Sequence, residues 1–248
     1  MKVVELWRYP VKSLQGEQVD AVKITTTGLS GDRSFAIFDV ESGFGLTARR
    51  VPELLFASAC TRADGTVAIT LPDGAVATDD DALSAWLGRR VTLRGRESEV
   101  DRRYENPVDF EDEVNSVWFP FNGASAAFHD SAPVSLVSAA TLASWDRRRF
   151  RANVVLDGTG EDELVGSEVG LGDATLRLTT RIPRCVMTTR AQPDGVDRDL
   201  DVLRTINRER DGCLAVGAVV MTPGTVRVGD ALLPRIEESG HRDDATAV

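Results

Sequence analysis

The side chain with the greatest chemical potential in the sequence is Cys185, which follows a proline bend and is directly preceded by Arg184. Arg190 lies in the same segment. Cationic neighbours favour the thiolate over the thiol, and the thiolate is both a nucleophile and a metal ligand. A lone cysteine is more often a buried apolar residue. We interpret Cys60 and Cys213, each in an apolar strand-like run, in that way, and Cys185 as the exception.

Two segments near the N-terminus place basic side chains at predicted turns. Residues 9–14, with the sequence Y-P-V-K-S-L, join a proline bend to Lys12 and Ser13, a combination that can hold an anion or a phosphate. The alternative is a surface lysine whose aliphatic stem covers apolar surface. Arg33 opens a predicted strand, so it is either paired with Asp32 or directed at an anionic ligand. The segment is not a P-loop, because the Gly-Lys-Ser/Thr ending and the following helix are missing.

Polar groups also cluster in two segments of the second half of the chain. Residues 128–133, with the sequence F-H-D-S-A-P, predict a turn at the start of a strand, with Asp130 and Ser131 at its centre. Arg151 and Asn153 are two residues apart, so they are expected on the same face of a strand. Both segments predict polar groups at the rim of a β core.

Composition excludes several classes of function. The 248 residues include 39 acidic and 29 basic side chains, a formal charge of -10, so nucleic acid is not expected as a partner. The three cysteines form no C-x-x-C pair, which argues against a disulfide scaffold, a zinc ribbon and an iron–sulfur site. His129 and His241 are too few for a histidine-rich metal site. No apolar run approaches the ~18 residues of a membrane span, and no secretory signal is evident, so we expect no membrane association and a cytoplasmic location.

Short runs rich in β-branched and aromatic residues, separated by turn signals, predict a mainly β, β-barrel-like fold with a few helices. Asp79 is expected to cap a short helix that stops at Gly88. A further helix is predicted over Asp201–Arg208. We interpret the runs Leu54–Arg62 and Cys185–Arg190 as strands.

The same patterns divide the chain. Residues 1–96 are expected to form an N-terminal β-barrel subdomain and residues 123–234 a second β-barrel domain. In the acidic and aromatic connection, residues 97–122, the periodicity of apolar residues fades. Its part Tyr104–Phe121 is as compatible with a lid over a pocket as with a loop packed between two subdomains. Residues 235–248 are expected to be a disordered polar tail.

Motifs across nearly the whole chain resemble those of the MOSC family, and they occur in the family's order: Tyr9–Ser13, Gly28–Asp39, Leu46–Arg49, Phe150–Asn153, Arg184–Thr189 and Pro223–Asp230. The chain is most similar to members in which an N-terminal MOSC β-barrel region precedes the MOSC domain, such as the mitochondrial amidoxime reducing component and its bacterial relatives. It departs from the family pattern at Ala152, where the family has proline. A second departure falls at about Gly217, where the family has a tyrosine that contacts the cofactor.

The resemblance implies a site for the molybdenum cofactor, molybdenum held by molybdopterin, with Cys185 as the protein ligand to the metal. A soft thiolate suits a metal that already carries dithiolene sulfurs. Cofactor contacts are implied for seven residues: Lys12, Ser13, Arg33, Asp130, Ser131, Arg151 and Arg184. Catalysis would depend on Cys185 and on Asp130. Either Asp130 or a bound water would deliver protons. Neither an iron–sulfur cluster nor pyridoxal phosphate is expected in this chain.

These implications predict an enzyme, a molybdenum-dependent oxidoreductase that reduces N-hydroxylated or N-oxygenated small molecules. Electrons would come from a separate protein, such as a ferredoxin, a cytochrome-b5-like protein or a flavin reductase. Two alternatives stay open. One is a sulfur-carrier or sulfurtransferase module that uses a persulfide on Cys185. The other is a non-catalytic protein that binds the molybdenum cofactor.

Overall fold

The computed structural model of the protein describes residues 1–97, 102–109, 111–113, 115–123 and 128–235. The predicted mainly β fold with few helices is confirmed. In chain order the strands are β1 (Val3–Arg8), β2 (Glu17–Val19), β3 (Ala21–Thr25), β4 (Gly28–Leu29), β5 (Phe35–Asp39), β6 (Ser58–Thr61), β7 (Val67–Thr70), β8 (Val76–Ala77), β9 (Val91–Gly95), β10 (Arg103–Pro107), β11 (Trp118–Asn122), β12 (Val134–Ser138), β13 (Val154–Leu156), β14 (Glu168–Leu171), β15 (Ala174–Pro183), β16 (Cys213–Thr222), β17 (Gly224–Arg227) and β18 (Leu232–Pro234).

The helices are short and lie between strands. The α-helices are α1 (Asp80–Leu87), α2 (Ala139–Leu142) and α3 (Asp201–Arg210), and the 3-10 helices are Pro52–Phe56, Arg147–Arg149, Glu161–Leu164 and Val186–Thr189. The side chain of Asp79 accepts a hydrogen bond from the Ala82 amide, and Gly88 ends α1 in the left-handed region, as predicted. No helix in the described ranges is both long and apolar enough to cross a membrane.

The largest sheet has eight strands in the order β18-β14-β15-β16-β12-β13-β1-β2. Its central strands β12 and β13 pair in parallel and are buried throughout. Strand β13 is entirely apolar, whereas β12 carries the buried Ser135 and Ser138. The neighbouring pairs are antiparallel. Because β1 and β2 come from the first twenty residues, the N-terminus is an integral part of the sheet formed by the second half of the chain. Leu6 and Leu136 lie in the core that results.

Four smaller sheets accompany it, in the orders β17-β3-β4, β5-β9, β6-β7-β8 and β10-β11. A second apolar core lies among the elements of the first hundred residues and includes Leu14, Ile37 and Leu83. The expected strand Leu54–Arg62 is wrong in its first part, because the 3-10 helix Pro52–Phe56 precedes β6. Proline at the start of that helix favours the turn.

The connection predicted to be irregular contains a β-hairpin. Strands β10 and β11 pair antiparallel, with Tyr104 opposite Phe121. The Tyr104 side chain is 1% exposed. Gly45 and Gly123 lie against its ring, where a Cβ atom would stand 2.3 and 2.5 Å from a ring carbon. Only a backbone without side chains fits there, so this ring and the hairpin are held tightly.

The predicted polar tail lies outside the described residues except for Arg235, and so does His241. Arg235 itself is not free of the fold. Its amide donates to the Glu168 carbonyl over 2.9 Å, and its Nη1 donates to Thr175 Oγ1 over 2.7 Å. The expected disorder is therefore wrong for this first residue of the tail. The division at residues 96, 122 and 234 stays a prediction.

Candidate functional site

A cavity of about 330 Å³ opens between the N-terminal turns and the edge of the large sheet, and all eight site residues predicted from the sequence line it. They come from five places in the chain, namely the turn after β1, the entry to β5, the approach to β12, the approach to β13 and the end of β15. The eight residues are Lys12, Ser13, Arg33, Asp130, Ser131, Arg151, Arg184 and Cys185.

Three of these residues have an unusual backbone. Ser13, Arg33 and Arg151 adopt positive φ angles of 70°, 43° and 54°. Residues other than glycine and asparagine are rarely found in this region, because their Cβ atom crowds the backbone. Such strain persists only where the surroundings fix it, and it concentrates at functional sites. The three turns are therefore rigid supports for the groups that face the cavity.

On one part of the cavity, which we call the Tyr9 side, Arg33 and Arg151 line the cavity and pack against Tyr9 and Asp32, which are buried behind them. The Tyr9 ring lies between the two guanidinium groups, at 4.4 Å from Arg33 and 4.5 Å from Arg151. Arg33 Nη1 donates to both carboxylate oxygens of Asp32 over 2.7 Å, and its Nη2 donates to the Arg151 carbonyl over 2.9 Å. Arg151 Nη1 donates to the carbonyl of Leu14. Burial, assisted by Arg33, lowers the pKa of Arg151 to about 10.

Lys12 and Asp130 form an ion pair in the middle of the cavity. The Lys12 side chain is 3% exposed; its Nζ lies 2.7 Å from Asp130 Oδ1 and also donates to the Phe128 carbonyl over 3.0 Å. The ammonium lies 4.6 Å from the centre of the Tyr104 ring. Desolvation opposes the charge on Asp130, but Lys12 and Arg49 hold the pKa of that carboxyl well below its usual range. Asp130 is therefore a carboxylate at neutral pH.

A second part of the cavity lining, which we call the Cys185 side, consists of Arg49, Arg184 and Cys185. Cys185 is half-buried between the end of β15 and the 3-10 helix Val186–Thr189. The expected strand Cys185–Arg190 is wrong, because the amide and the hydroxyl of Thr188 both donate to the Cys185 carbonyl over 3.0 Å and close a turn.

Arg184 is anchored to the backbone on two sides. Its Nε donates to the Leu214 carbonyl over 2.7 Å, and its Nη1 donates to the Phe150 carbonyl over 3.1 Å. Nη2 is buried without a hydrogen-bond partner. Burial lowers the pKa of Arg184 to about 10, against the opposing influence of Cys185.

Arg49 is a cavity residue that the sequence did not single out, although it lies in the Leu46–Arg49 motif. Its Nη2 lies 3.4 Å from Asp130 Oδ1, and its guanidinium lies 5.2 Å from the centre of the Phe121 ring. Burial opposes its charge, but Asp130 and then Cys185 raise the pKa of Arg49 above the ordinary arginine value. The motif match was the only sequence signal, since Asp130 and Cys185 are remote along the chain.

The other cysteines differ from the buried residues expected. Cys60 is exposed on β6, because the outer face of that short sheet meets solvent, and Cys213 is half-buried at the start of β16. Asn153 is a structural residue. Its Oδ1 accepts hydrogen bonds from the amide and the hydroxyl of Ser135, which ties β12 to β13. His129 also lines the cavity, and burial together with Arg33 and Lys12 lowers its pKa.

The electrostatics of the cavity suit an anion. Six basic side chains line it against the single acid Asp130, in a chain with a formal charge of -10; they are Lys12, Arg33, Arg49, Arg149, Arg151 and Arg184. Within the described residues, no group of three or more His, Cys, Asp or Glu side chains could hold a metal ion.

Two family models match most of the chain. The family model described as the MOSC N-terminal beta barrel domain matches residues 1–120, and the MOSC domain model matches residues 124–233. The mitochondrial amidoxime reducing component 2 of Bos taurus is 27% identical over 244 residues, which cover 84% of this chain and 72% of that protein. The human mitochondrial amidoxime-reducing component 1 is 26% identical over 283 residues, which cover 92% of this chain and 81% of that protein. The molybdenum cofactor sulfurase of Drosophila grimshawi is 26% identical over 88% of this chain but only 32% of its own length.

Proposed function

The chain belongs to the MOSC family, with a MOSC N-terminal β-barrel domain followed by a MOSC domain, and from that premise we propose that it is a molybdenum-cofactor-dependent oxidoreductase. Its substrates would be N-hydroxylated or N-oxygenated small molecules, by analogy with the relatives named as amidoxime reducing components. The observation that carries the proposal is the single half-buried thiol of Cys185 at a cavity lined by six basic side chains.

The residues present fit the cofactor by their chemistry. Cys185 would supply the one protein ligand to molybdenum, and soft sulfur is suited to that metal environment. The pterin phosphate and the other polar groups would be held by basic and hydroxyl side chains of the cavity: Lys12, Ser13, Arg33, Ser131, Arg151 and Arg184. When bound, the cofactor supplies two-electron chemistry and accepts an oxygen atom, which the protein side chains cannot do themselves.

Asp130 is assigned a positioning role in this proposal. Its carboxylate contacts both Lys12 and Arg49, and these cations hold its pKa well below the usual range. A group that stays ionised at neutral pH is a poor proton donor. Asp130 therefore orders the two cations, and of the two expected routes for protons we favour a bound water.

The proposed functional organisation follows the predicted division into residues 1–96, 97–122 and 123–234. The cavity draws side chains from each part, for example Arg49, Phe121 and Cys185. The N-terminal part would supply cofactor contacts, the middle part would cover one wall with its hairpin, and the last part would supply the thiol. Electrons would come from a separate donor protein, and the substrate would be a small molecule.

A second candidate function is sulfur transfer through a persulfide on Cys185. It is favoured by the similarity to a protein named as a molybdenum cofactor sulfurase. The half-buried position of Cys185, between Arg184 and Arg49, suits a sulfur-bound anion as well as a metal-bound thiolate.

Metal content and reductase activity separate the candidates. The full chain is produced in a host that makes the molybdenum cofactor, molybdenum is measured by mass spectrometry, and an amidoxime is supplied with reduced viologen as electron donor. We expect close to one molybdenum per chain and turnover, both lost in Cys185→Ala and both kept in the matched control Cys60→Ala. Bound molybdenum without turnover would instead indicate a non-catalytic binding protein. Absence of molybdenum, with cyanide-releasable sulfur on Cys185, would favour the sulfur carrier.

A further inference from the structure

The basic side chains of the cavity differ in whether they keep buried donors without a protein acceptor. On the Tyr9 side, Arg33 donates to a carboxylate and a carbonyl, and Arg151 donates to a carbonyl. On the Cys185 side, buried donors are left over. Arg49 Nε and Nη1 and Arg184 Nη2 make no hydrogen bond to any described residue.

Leaving these donors without acceptors is costly. A buried polar group without a partner costs roughly 1–3 kcal/mol, and more when it belongs to a charged side chain. Arg49 is 7% exposed, so little of its guanidinium is compensated by water. Three such donors on two side chains, both beside one cysteine, are explained most simply as groups that await an acceptor from outside the chain.

Several contacts fix the position of Arg49. The ring of Phe121, from the β10–β11 hairpin, lies against its guanidinium. Asp130 holds its Nη2 from one side, and Arg190 Nη2 donates to its backbone carbonyl over 2.5 Å. Arg190 in turn forms an ion pair with Glu113 of the hairpin loop. The two unpartnered donors are therefore preorganised and do not belong to a mobile surface arginine.

We propose that Arg49 is an oxyanion-binding residue, and that Arg49 and Arg184 together hold an oxyanion beside the sulfur of Cys185. An anion with several oxygens can accept hydrogen bonds from separate donors, and arginine donors to oxyanions are strong. The oxyanion is either the phosphate of a bound cofactor or an anionic oxygen of a substrate. The inference deepens the proposed function at the same site, but binding of the oxyanion itself requires no molybdenum.

The first test uses the full chain made in a host that lacks the molybdenum cofactor, with inorganic phosphate as the probe. The rate of Cys185 alkylation by iodoacetamide is followed by mass spectrometry as phosphate replaces chloride at constant ionic strength. We expect phosphate to slow alkylation of Cys185, while alkylation of the exposed Cys60 in the same sample stays constant. In Arg49→Gln, the phosphate concentration that gives half protection should rise by about tenfold or more, as expected for a lost hydrogen bond to a charged group.

Two further variants keep this test decisive. Arg50→Gln is the matched control, because Arg50 lies over the Trp118 ring at 4.3 Å, is 47% exposed at its side chain and does not line the cavity. In Arg50→Gln, phosphate should protect Cys185 from alkylation to the same extent as in the wild type. Arg49→Lys retains the charge and should recover part of the protection, even if Arg49→Gln folds poorly. Equal protection of Arg49→Gln and the wild type, or no protection in either, would overturn the proposal.

The second test identifies the source of the oxyanion in protein made with the cofactor available. If it is the cofactor phosphate, Arg49→Gln will lose molybdenum and pterin. If it is a substrate oxygen, Arg49→Gln will keep both and show a raised KM. Unchanged content together with unchanged KM contradicts the inference. A wild-type protein without molybdenum refutes the proposed function instead, and phosphate protection of Cys185 then still decides the role of Arg49.

Discussion

The two walls of the cavity use the same kind of side chain in opposite ways. On the Tyr9 side, Arg33 and Arg151 enclose an aromatic ring and donate to a carboxylate and to backbone carbonyls. On the Cys185 side, Arg49 and Arg184 keep buried donors without protein acceptors. Among the described residues, no donor of Arg33 or Arg151 is buried without a partner. In our proposal, the buried donors of the second wall find their acceptor on a ligand.

This difference separates stability from function within one cavity. Polar networks whose donors and acceptors are all used make a region rigid, while partly used networks are unfavourable until a partner arrives. Substitutions on the Tyr9 side should therefore act mainly on folding. Substitutions on the Cys185 side should act mainly on binding. The free energy of unfolding of variants on each side tests this contrast.

The largest effect is expected for Asp32→Asn. Asp32 accepts both hydrogen bonds of Arg33 Nη1 and also one from the Tyr9 amide over 2.7 Å, and its side chain is 6% exposed. Removal of its charge leaves Arg33 and Arg151 close together without the carboxylate that pairs with Arg33. We expect the free energy of unfolding in urea to fall by roughly 3 kcal/mol. Arg49→Gln, on the other wall, is the comparison and should change it by less than about 1 kcal/mol. Equal losses would contradict the division into two walls.

The sequence was most informative where chemistry depends on local backbone. The capped helix α1 and the helix α3 follow from residues that are adjacent along the chain, such as Asp79 and Gly88. The eight predicted site residues came from short motifs, and the fold brings them all to one cavity. Their individual roles stay predictions.

What the sequence did not predict depends on partners remote in the chain. The β10–β11 hairpin is held by the Tyr104 ring, which fits between Gly45 and Gly123. The local sequence pattern cannot predict this contact, because Gly45 is remote along the chain. The turn at Cys185 forms because hydroxyls compete with strand pairing, as Thr188 and Thr189 donate back to carbonyls three residues earlier. The candidate role of Arg49 could be recognised only from the fold, which brings it close to Asp130 and Cys185.

The next effect in size should come from Gly45→Ala, which tests how firmly the hairpin supports the Cys185 side. A Cβ atom at Gly45 would lie 2.3 Å from Tyr104 Cε1, and the buried ring has no free space to retreat. Overpacking of this kind costs about 1–3 kcal/mol, measured by thermal or urea unfolding. Gly95→Ala is the matched control, since its Cβ atom would lie 3.6 Å from the nearest atom, Phe35 Cε1. If Gly95→Ala destabilised the protein as much as Gly45→Ala, the prediction that the Tyr104 ring is tightly held would be wrong.

Glu113→Gln should lower the free energy of unfolding by a smaller amount, about 1–2 kcal/mol. The Glu113 carboxylate pairs with Arg190, and the two side chains are 12% and 11% exposed. Since Arg190 also holds the Arg49 carbonyl, the variant should weaken phosphate protection of Cys185 as well as stability. Glu111→Gln is the control, because its pair with Arg204 is half exposed and exposed pairs contribute little. Glu113→Gln with unchanged protection would show that the hairpin loop does not position Arg49.

The smallest loss at neutral pH is expected for Asp130→Asn, about 1 kcal/mol or less, because 43% of the Asp130 side chain is exposed and solvent screens its ion pairs. Its dependence on pH is the sharper test. Lys12 and Arg49 lower the pKa of Asp130 in the folded protein, whereas an unfolded aspartate titrates near 4. The carboxylate therefore stabilises the fold fully above about pH 5, and this contribution declines as the pH falls below about 4 toward the folded pKa. Urea unfolding of the wild type and Asp130→Asn at a series of pH values should show a difference that shrinks on acidification. A difference that is constant or grows below pH 4 would mean that the variant acts through packing and not through the charge that orders Lys12 and Arg49.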